Sequence, residues 1–422
     1  MSTINEKYTN NNEEVTSTKR IASIDFVKGL ALGFIMFAHA ALSWFDNDWR
    51  FVYGFAFAFL DILGPSLFVF LSALSVVFSI KRKKIASSDK TIRNRIFSRG
   101  FLIIIIGVLF NPMSLLTSGE SVPFPANLWG WNILMFIGFS QIFSYYALKF
   151  SKITRAISGF MIIFISPWIR EILFQFKDLN FGVNILHFII TSPLPQVPFL
   201  PWIAVCFIST IFGEYLFETM MKGTKEAYYR LFRMFITYGV AMVLIGLFIW
   251  IPRSGLALDQ WEPGWALLNP TSTPGGTIEF SEYLHIDLLR LANNNVINYQ
   301  FPGMPLFLIR SSAHNMFYNL GVALLIIAVS FYYIDIKRRQ NIFIKMLIFF
   351  GNVSLSLFLI QFLFLPLYIG QFSITFGPFV FCAYSGFLGL LMYIWLKFFN
   401  GVGSPEWLMS KLGSRRKKKN NT

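Results

Sequence analysis

The chain has 422 residues, of which 55% are hydrophobic and only 14% charged, and 50 of them are Phe. A soluble domain carries about 25% charged residues, and no soluble fold of this length could cover so much apolar surface, whereas lipid can. The net charge of +15 is no nucleic-acid signature, because the basic residues lie between apolar runs rather than in one patch, so no nucleic-acid partner is expected.

Residues 1–19 are polar and rich in Asn, Glu and Thr. They lack the apolar core and cleavage site of a signal peptide and read as a disordered cytoplasmic tail. Ten apolar runs follow, at Ile24–Phe45, Tyr53–Ile80, Ile96–Leu116, Leu128–Phe150, Ile153–Ile169, Val197–Met220, Met234–Ile251, Ala313–Ile334, Phe343–Ile369 and Ile374–Phe399. A spanning helix needs about 20 apolar residues to cross about 30 Å of hydrocarbon. The expectation is therefore an all-α, polytopic integral membrane protein with about ten transmembrane helices. Residues 20–412 form one transmembrane domain and 413–422 a basic cytoplasmic tail. Asn180–Thr191 is too short to span and reads as an interfacial segment.

If the N-terminus is cytoplasmic, 30 of the 36 Lys and Arg fall in cytoplasmic segments and six outside. Basic residues prefer the cytoplasmic side, so both termini are expected in the cytoplasm and the protein in the cell membrane, multi-pass. The longest loop, Pro252 to Arg310, then lies outside. Its Trp261 and Trp265 read as interfacial anchors or as sugar contacts. Cys206 and Cys382 lie in apolar runs and read as small buried hydrophobes.

Ionisable residues within spans cost about 2.5–3.5 kcal/mol each on insertion scales and are functional candidates. Asp25, Gly29, Leu32, Met36, His39 and Ser43 recur at helical spacing on the first run. Asp25 and His39 mark its two ends, about 21 Å apart at 1.5 Å per residue. Gly29 and Gly33 make a GxxxG pair that permits close helix approach. Asp61 on the second run lies at a depth similar to that of His39, and a short hairpin joins the two runs. A neutral imidazole at His39 could take a proton from an attacking hydroxyl or amine, with Asp61 fixing its tautomer. The same two residues also read as a structural hydrogen bond between helices.

The basic run Lys81–Lys84 with Arg93, Arg95 and Arg99 suits phosphate groups or anionic lipid. His187, His285 and His314 fall at the outer side without metal-ligand spacing, and no metal is expected.

The stretch Arg20-Ile-Ala-Ser-Ile-Asp25-Phe-Val-Lys28-Gly29, followed by Met36 and His39, resembles the opening of heparan-alpha-glucosaminide N-acetyltransferase-like membrane proteins, part of a wider group of membrane acyltransferases. Short elements further on are similar too: Gly64-Pro65 through Ser72, Ile133 through Gly138, Pro201-Trp202, Gly351 through Leu355 with Gln361, and Ser404-Pro405-Glu406-Trp407. Lys28 stands where Arg is usual, and Met135 and Gln361 stand where the family often has His, which removes candidate proton carriers.

The resemblance implies transfer of an acyl group, most simply acetyl, from cytoplasmic acyl-CoA to an amine or hydroxyl of an extracytoplasmic glycan or glycolipid. His39 would be the general base or transient acyl acceptor and Asp61 its orienting group. Arg93, Arg95 and Arg99 would hold the phosphates of acetyl-CoA, and Asp25, Trp202 and Gln361 would contact substrate. The alternatives are a transporter or flippase of a polar or lipid-linked solute, and a catalytically silent scaffold.

Overall fold

The computed structural model describes residues 21–45, 59–84, 88–118, 128–177, 179–191, 197–249, 305–308 and 311–414. The two tails, the start of the second apolar run and most of the long loop, with Trp261, Trp265 and His285, lie outside the described residues.

All ten apolar runs carry helix. In chain order these are α1 (Ala22–Trp44), α2 (Pro65–Lys84), α3 (Asp89–Ser118), α4 (Ile133–Ala147), α5 (Lys152–Phe176), α6 (Phe181–Thr191), α7 (Phe199–Lys222) and α8 (Lys225–Phe248). The remainder are α9 (Ala313–Phe331), α10 (Ile342–Asn352), α11 (Ser354–Phe364), α12 (Gly377–Phe399) and α13 (Pro405–Ser414). The additional helix α6 is the short Asn180–Thr191 segment, and its Phe181, Ile185 and Ile189 are exposed.

Local chemistry sets several boundaries. The side chains of Asn132, Ser151, Thr224, Ser312 and Asn341 accept hydrogen bonds from the first-turn N–H groups of α4, α5, α8, α9 and α10, satisfying donors that a helix start leaves without partners. Gly223, at φ 64°, ends α7, because glycine takes the left-handed conformation without a Cβ penalty.

Among the described residues, seven helices are long and apolar enough to cross a membrane, and eight if the bent pair α10–α11 is one span. The protein is thus a multi-pass membrane protein. Two runs yield shorter apolar helices, Pro65–Lys81 and Ile133–Ala147. The second run is interrupted at Asp61–Leu63, a single 3-10 turn, before Gly64-Pro65. The fourth begins only at Ile133, because Asn132 caps there and leaves Leu128–Trp131 outside the helix.

Helices α7, α1 and α9 form the middle, with 72%, 61% and 61% of their apolar windows buried, against 17% for α12. Contacts at one end of the bundle involve the basic segments. The Ser23 N–H donates to Asp335, Tyr145 donates to Asp89, and Glu214 pairs with both Lys81 and Arg155. This is the basic end. At the opposite end Trp44 donates to Leu365 O over 2.7 Å, and Phe45 and Phe372 form a β-bridge. Among the described residues there is no longer strand.

Helix α1 crosses α10 at very short range. A Cβ on Gly29 would meet the Leu347 backbone, and one on Gly351 would meet that of Asp25. The close approach expected at Gly29 is therefore present, but its partner is Gly351 on another helix. A Cβ on Gly33 would meet nothing within 4 Å.

Candidate active site

His39 lies near the far end of α1, where three helices converge. Its ring centroid is 4.9 Å from that of Phe362 and 6.2 Å from that of Phe358, both on α11. Phe110 of α3 closes the cluster, 4.5 Å from Phe362 and 5.8 Å from Phe358. The imidazole thus sits in an aromatic cage. The residue is half-buried, yet its Nδ1 is sealed from solvent and completes no hydrogen bond.

Gln361 supplies the polar wall of the cage. It lies three residues after Phe358 and next to Phe362, so the three share one face of α11. It is fully buried and its side chain interacts with the His39 ring. Gln361 Nε2 donates to Phe358 O over 3.0 Å, while Oε1, like His39 Nδ1, lacks a hydrogen bond of good geometry. The two groups are neighbours with a contact left to complete. The Tyr384 hydroxyl donates to Gln361 O over 2.7 Å and ties this turn to α12.

Of the other residues singled out from the sequence, Asp25 is buried at the α1–α10 crossing, toward the basic end and away from His39. Asp61 belongs to the 3-10 turn that packs against α1, and its side chain lies outside the described residues. Trp202 is fully buried and donates to Ser311 Oγ over 2.9 Å, which fixes the entry to α9. Met135 is fully buried beside Gly107 and Asn111.

The three arginines do not form one group. At about 100° per residue, Arg99 lies within about 20° and Arg95 within about 60° of Phe110 around α3, so both share the face turned toward α11. Arg95 Nε and Arg99 Nε are buried and have no hydrogen-bond partner. Arg93 faces about 100° away and lines a separate open groove of about 560 Å³ with Asn94, Phe97, Ser98, Phe101 and Tyr146.

Phe110, Phe358, Phe362 and Tyr384 were not singled out from the sequence. The spacing of Phe358, Gln361 and Phe362 was a readable signal, but among 50 Phe it did not stand out.

Residues 20–251, more than half of the chain, match heparan-alpha-glucosaminide N-acetyltransferase, catalytic. The chain belongs to this acetyltransferase family. No curated protein matches it. The family match takes in His39, Asp61, the three arginines and Trp202 and ends before α9, so in this N-acetyltransferase family member the Gln361 side of the cage comes from outside the matched region. The enzyme class expected from the opening motif stands: the chain is a membrane protein of an acetyltransferase family.

Proposed function

We propose that the protein moves an acetyl group from cytoplasmic acetyl-CoA to an amine or hydroxyl of an extracytoplasmic glycan or glycolipid at the cell membrane. The observation that carries this reading is His39, caged by aromatic rings with Gln361 against it, in a chain of this family. In water-poor surroundings a positioned imidazole is an effective general base. His39 Nε2 takes the proton of the acceptor amine or hydroxyl as that group attacks the thioester carbonyl. The carbon–sulfur bond breaks, and the imidazolium returns the proton to the departing thiolate of CoA. Gln361 Oε1 accepts the Nδ1–H and so keeps Nε2 free for this task. Asp61 is a second candidate for the orienting role, supported by the packing of its turn against α1.

Arg95 and Arg99 suit the phosphates of the donor, supported by their buried Nε atoms without partners and by the face they share with Phe110. Eleven residues separate Arg99 from Phe110, about 16 Å along the helix, a reach suited to the extended pantetheine arm of CoA. Arg93, on another face, is the weaker candidate of the three.

Purified full-length protein in detergent, given labelled acetyl-CoA and amino-sugar acceptors, should release CoA and label the acceptor. His39→Ala should lose this activity at unchanged expression, and full activity in that variant would remove His39 from the chemistry. Gln361→Ala and Asp61→Asn, compared side by side, show by the larger loss which group orients the ring.

One observation favours a transporter instead. The 87° break between α10 and α11 resembles the discontinuous helices that line transporter sites. Uptake of a polar solute by proteoliposomes without any CoA release would favour that reading.

A further inference from the structure

The break between α10 and α11 leaves the first N–H groups of α11 without acceptors in their own helix. Its N-cap residue, Val353, offers no side-chain hydrogen bond. The acceptor comes instead from Glu406 on α13. Its Oε1 accepts from Leu355 N and from Ser356 N, each at 3.0 Å, and its Oε2 accepts from the Ser356 hydroxyl. A carboxylate here also faces the positive end of the helix dipole. Helix α13 is itself fixed, since Ser404 Oγ accepts from Trp407 N over 3.1 Å.

Phe358, Gln361 and Phe362 follow within two turns of the residues that Glu406 holds. An unbroken helix would inherit its depth and rotation from the segment before it. After an 87° bend α10 supplies little of this, and the first turn of α11 must be fixed from elsewhere.

We propose that Glu406 is a positioning residue for acetyl transfer: through the first turn of α11 it sets how Gln361 meets His39. It touches neither substrate nor reacting atoms, and the inference rests on the catalytic reading of His39 given above.

Glu406→Ala removes the whole cap, whereas Glu406→Gln keeps one carbonyl acceptor and loses the charge. Two measurements on full-length protein in detergent test the idea. Amide exchange over residues 355–361 should be about tenfold faster or more in Glu406→Ala, less so in Glu406→Gln, and unchanged in α1. In the folded fraction, kcat should fall by about tenfold to a hundredfold in Glu406→Ala and partly recover in Glu406→Gln, with KM for acetyl-CoA within about twofold of wild type. A purely structural role would lower the folded fraction and leave the kcat of what remains. Unchanged exchange over 355–361 overturns the proposal. So does faster exchange with unchanged kcat, or a raised KM alone, which would make Glu406 a donor-binding element. If wild type itself releases no CoA in a His39-dependent way, the catalytic reading fails, and the exchange arm still decides whether Glu406 holds α11.

Discussion

Adding one methyl group at Gly351 should damage the protein, whereas adding one at Gly33 should help it. A Cβ at Gly351 would lie 2.7 Å from the carbonyl carbon of Asp25 and 3.1 Å from its Cα, with the carbonyl oxygen nearer still. A Cβ at Gly29 would lie 2.7 Å from the carbonyl carbon of Leu347 and 3.1 Å from Gly351 N. These obstacles are backbone atoms, so no rotamer change relieves them and the two helices must separate. Overpacking costs about 1–3 kcal/mol, and a backbone clash belongs at the upper end of that range. Alanine gains about 0.5–1 kcal/mol over glycine within a helix, which leaves Gly351→Ala and Gly29→Ala destabilised by roughly 2 kcal/mol. Gly33→Ala meets nothing and keeps the gain. Thermal unfolding in detergent, followed by fluorescence-detected size-exclusion chromatography, should place Gly29→Ala and Gly351→Ala a few degrees below wild type and Gly33→Ala at or above it. If Gly33→Ala falls as far as Gly29→Ala, or Gly351→Ala melts with wild type, the close crossing of α1 and α10 is wrong.

Two further outcomes follow from charge placement. Arg99→Ala should raise KM for acetyl-CoA by about tenfold or more, while Arg93→Ala, on the other face of α3, should change it little; steady-state CoA release measures both, and equal effects would return the three arginines to one site. Glu214→Ala strands the buried Arg155 guanidinium without its carboxylate and should cost about 3–5 kcal/mol, whereas Arg155→Met with Glu214→Leu should regain most of the thermal midpoint, because matched apolar groups replace the buried pair at little cost and Lys81, the second partner of Glu214, is partly exposed and can turn to water.

Hydropathy made the helices legible, since every apolar run carries helix, but it could not see where a run bends. Asn352, Val353 and Ser354 sit in the middle of the run Phe343–Ile369, and their break is stabilised by Glu406, about 50 residues away. No local pattern reports such a cap. The interruption at Asp61 was more readable, because Gly64-Pro65 is a turn signal. Gly29 was identified correctly as a contact residue, yet the GxxxG pattern pointed to Gly33, because a motif within one helix says nothing about which helix crosses it. The angular split of Arg93 from Arg95 and Arg99 was available from helical periodicity. It acquired meaning only once Phe110 fixed which face of α3 meets α11.

The partner of His39 shows the same limit and bears on chemistry. Depth along two neighbouring runs selected Asp61, whose side chain lies outside the described residues, and the side chain described against the imidazole is Gln361, far along the chain. Position 361 lies outside the family match, and the resemblance read from the sequence leads one to expect His there. On the acetyl-transfer reading, that exchange keeps a hydrogen-bond acceptor for Nδ1–H but removes a second proton carrier. A neutral amide can hold the ring and its tautomer, yet it cannot relay a proton onward. His39 must then receive the acceptor's proton and return it to the thiolate itself, a one-base transfer in which the acceptor and the thioester are engaged together. Gln361→His would supply a second proton carrier at this position. It should leave CoA release at least at the wild-type rate, since imidazole can also accept from Nδ1–H. A large loss in that variant would mean that Gln361 acts through its amide on the substrate rather than on His39.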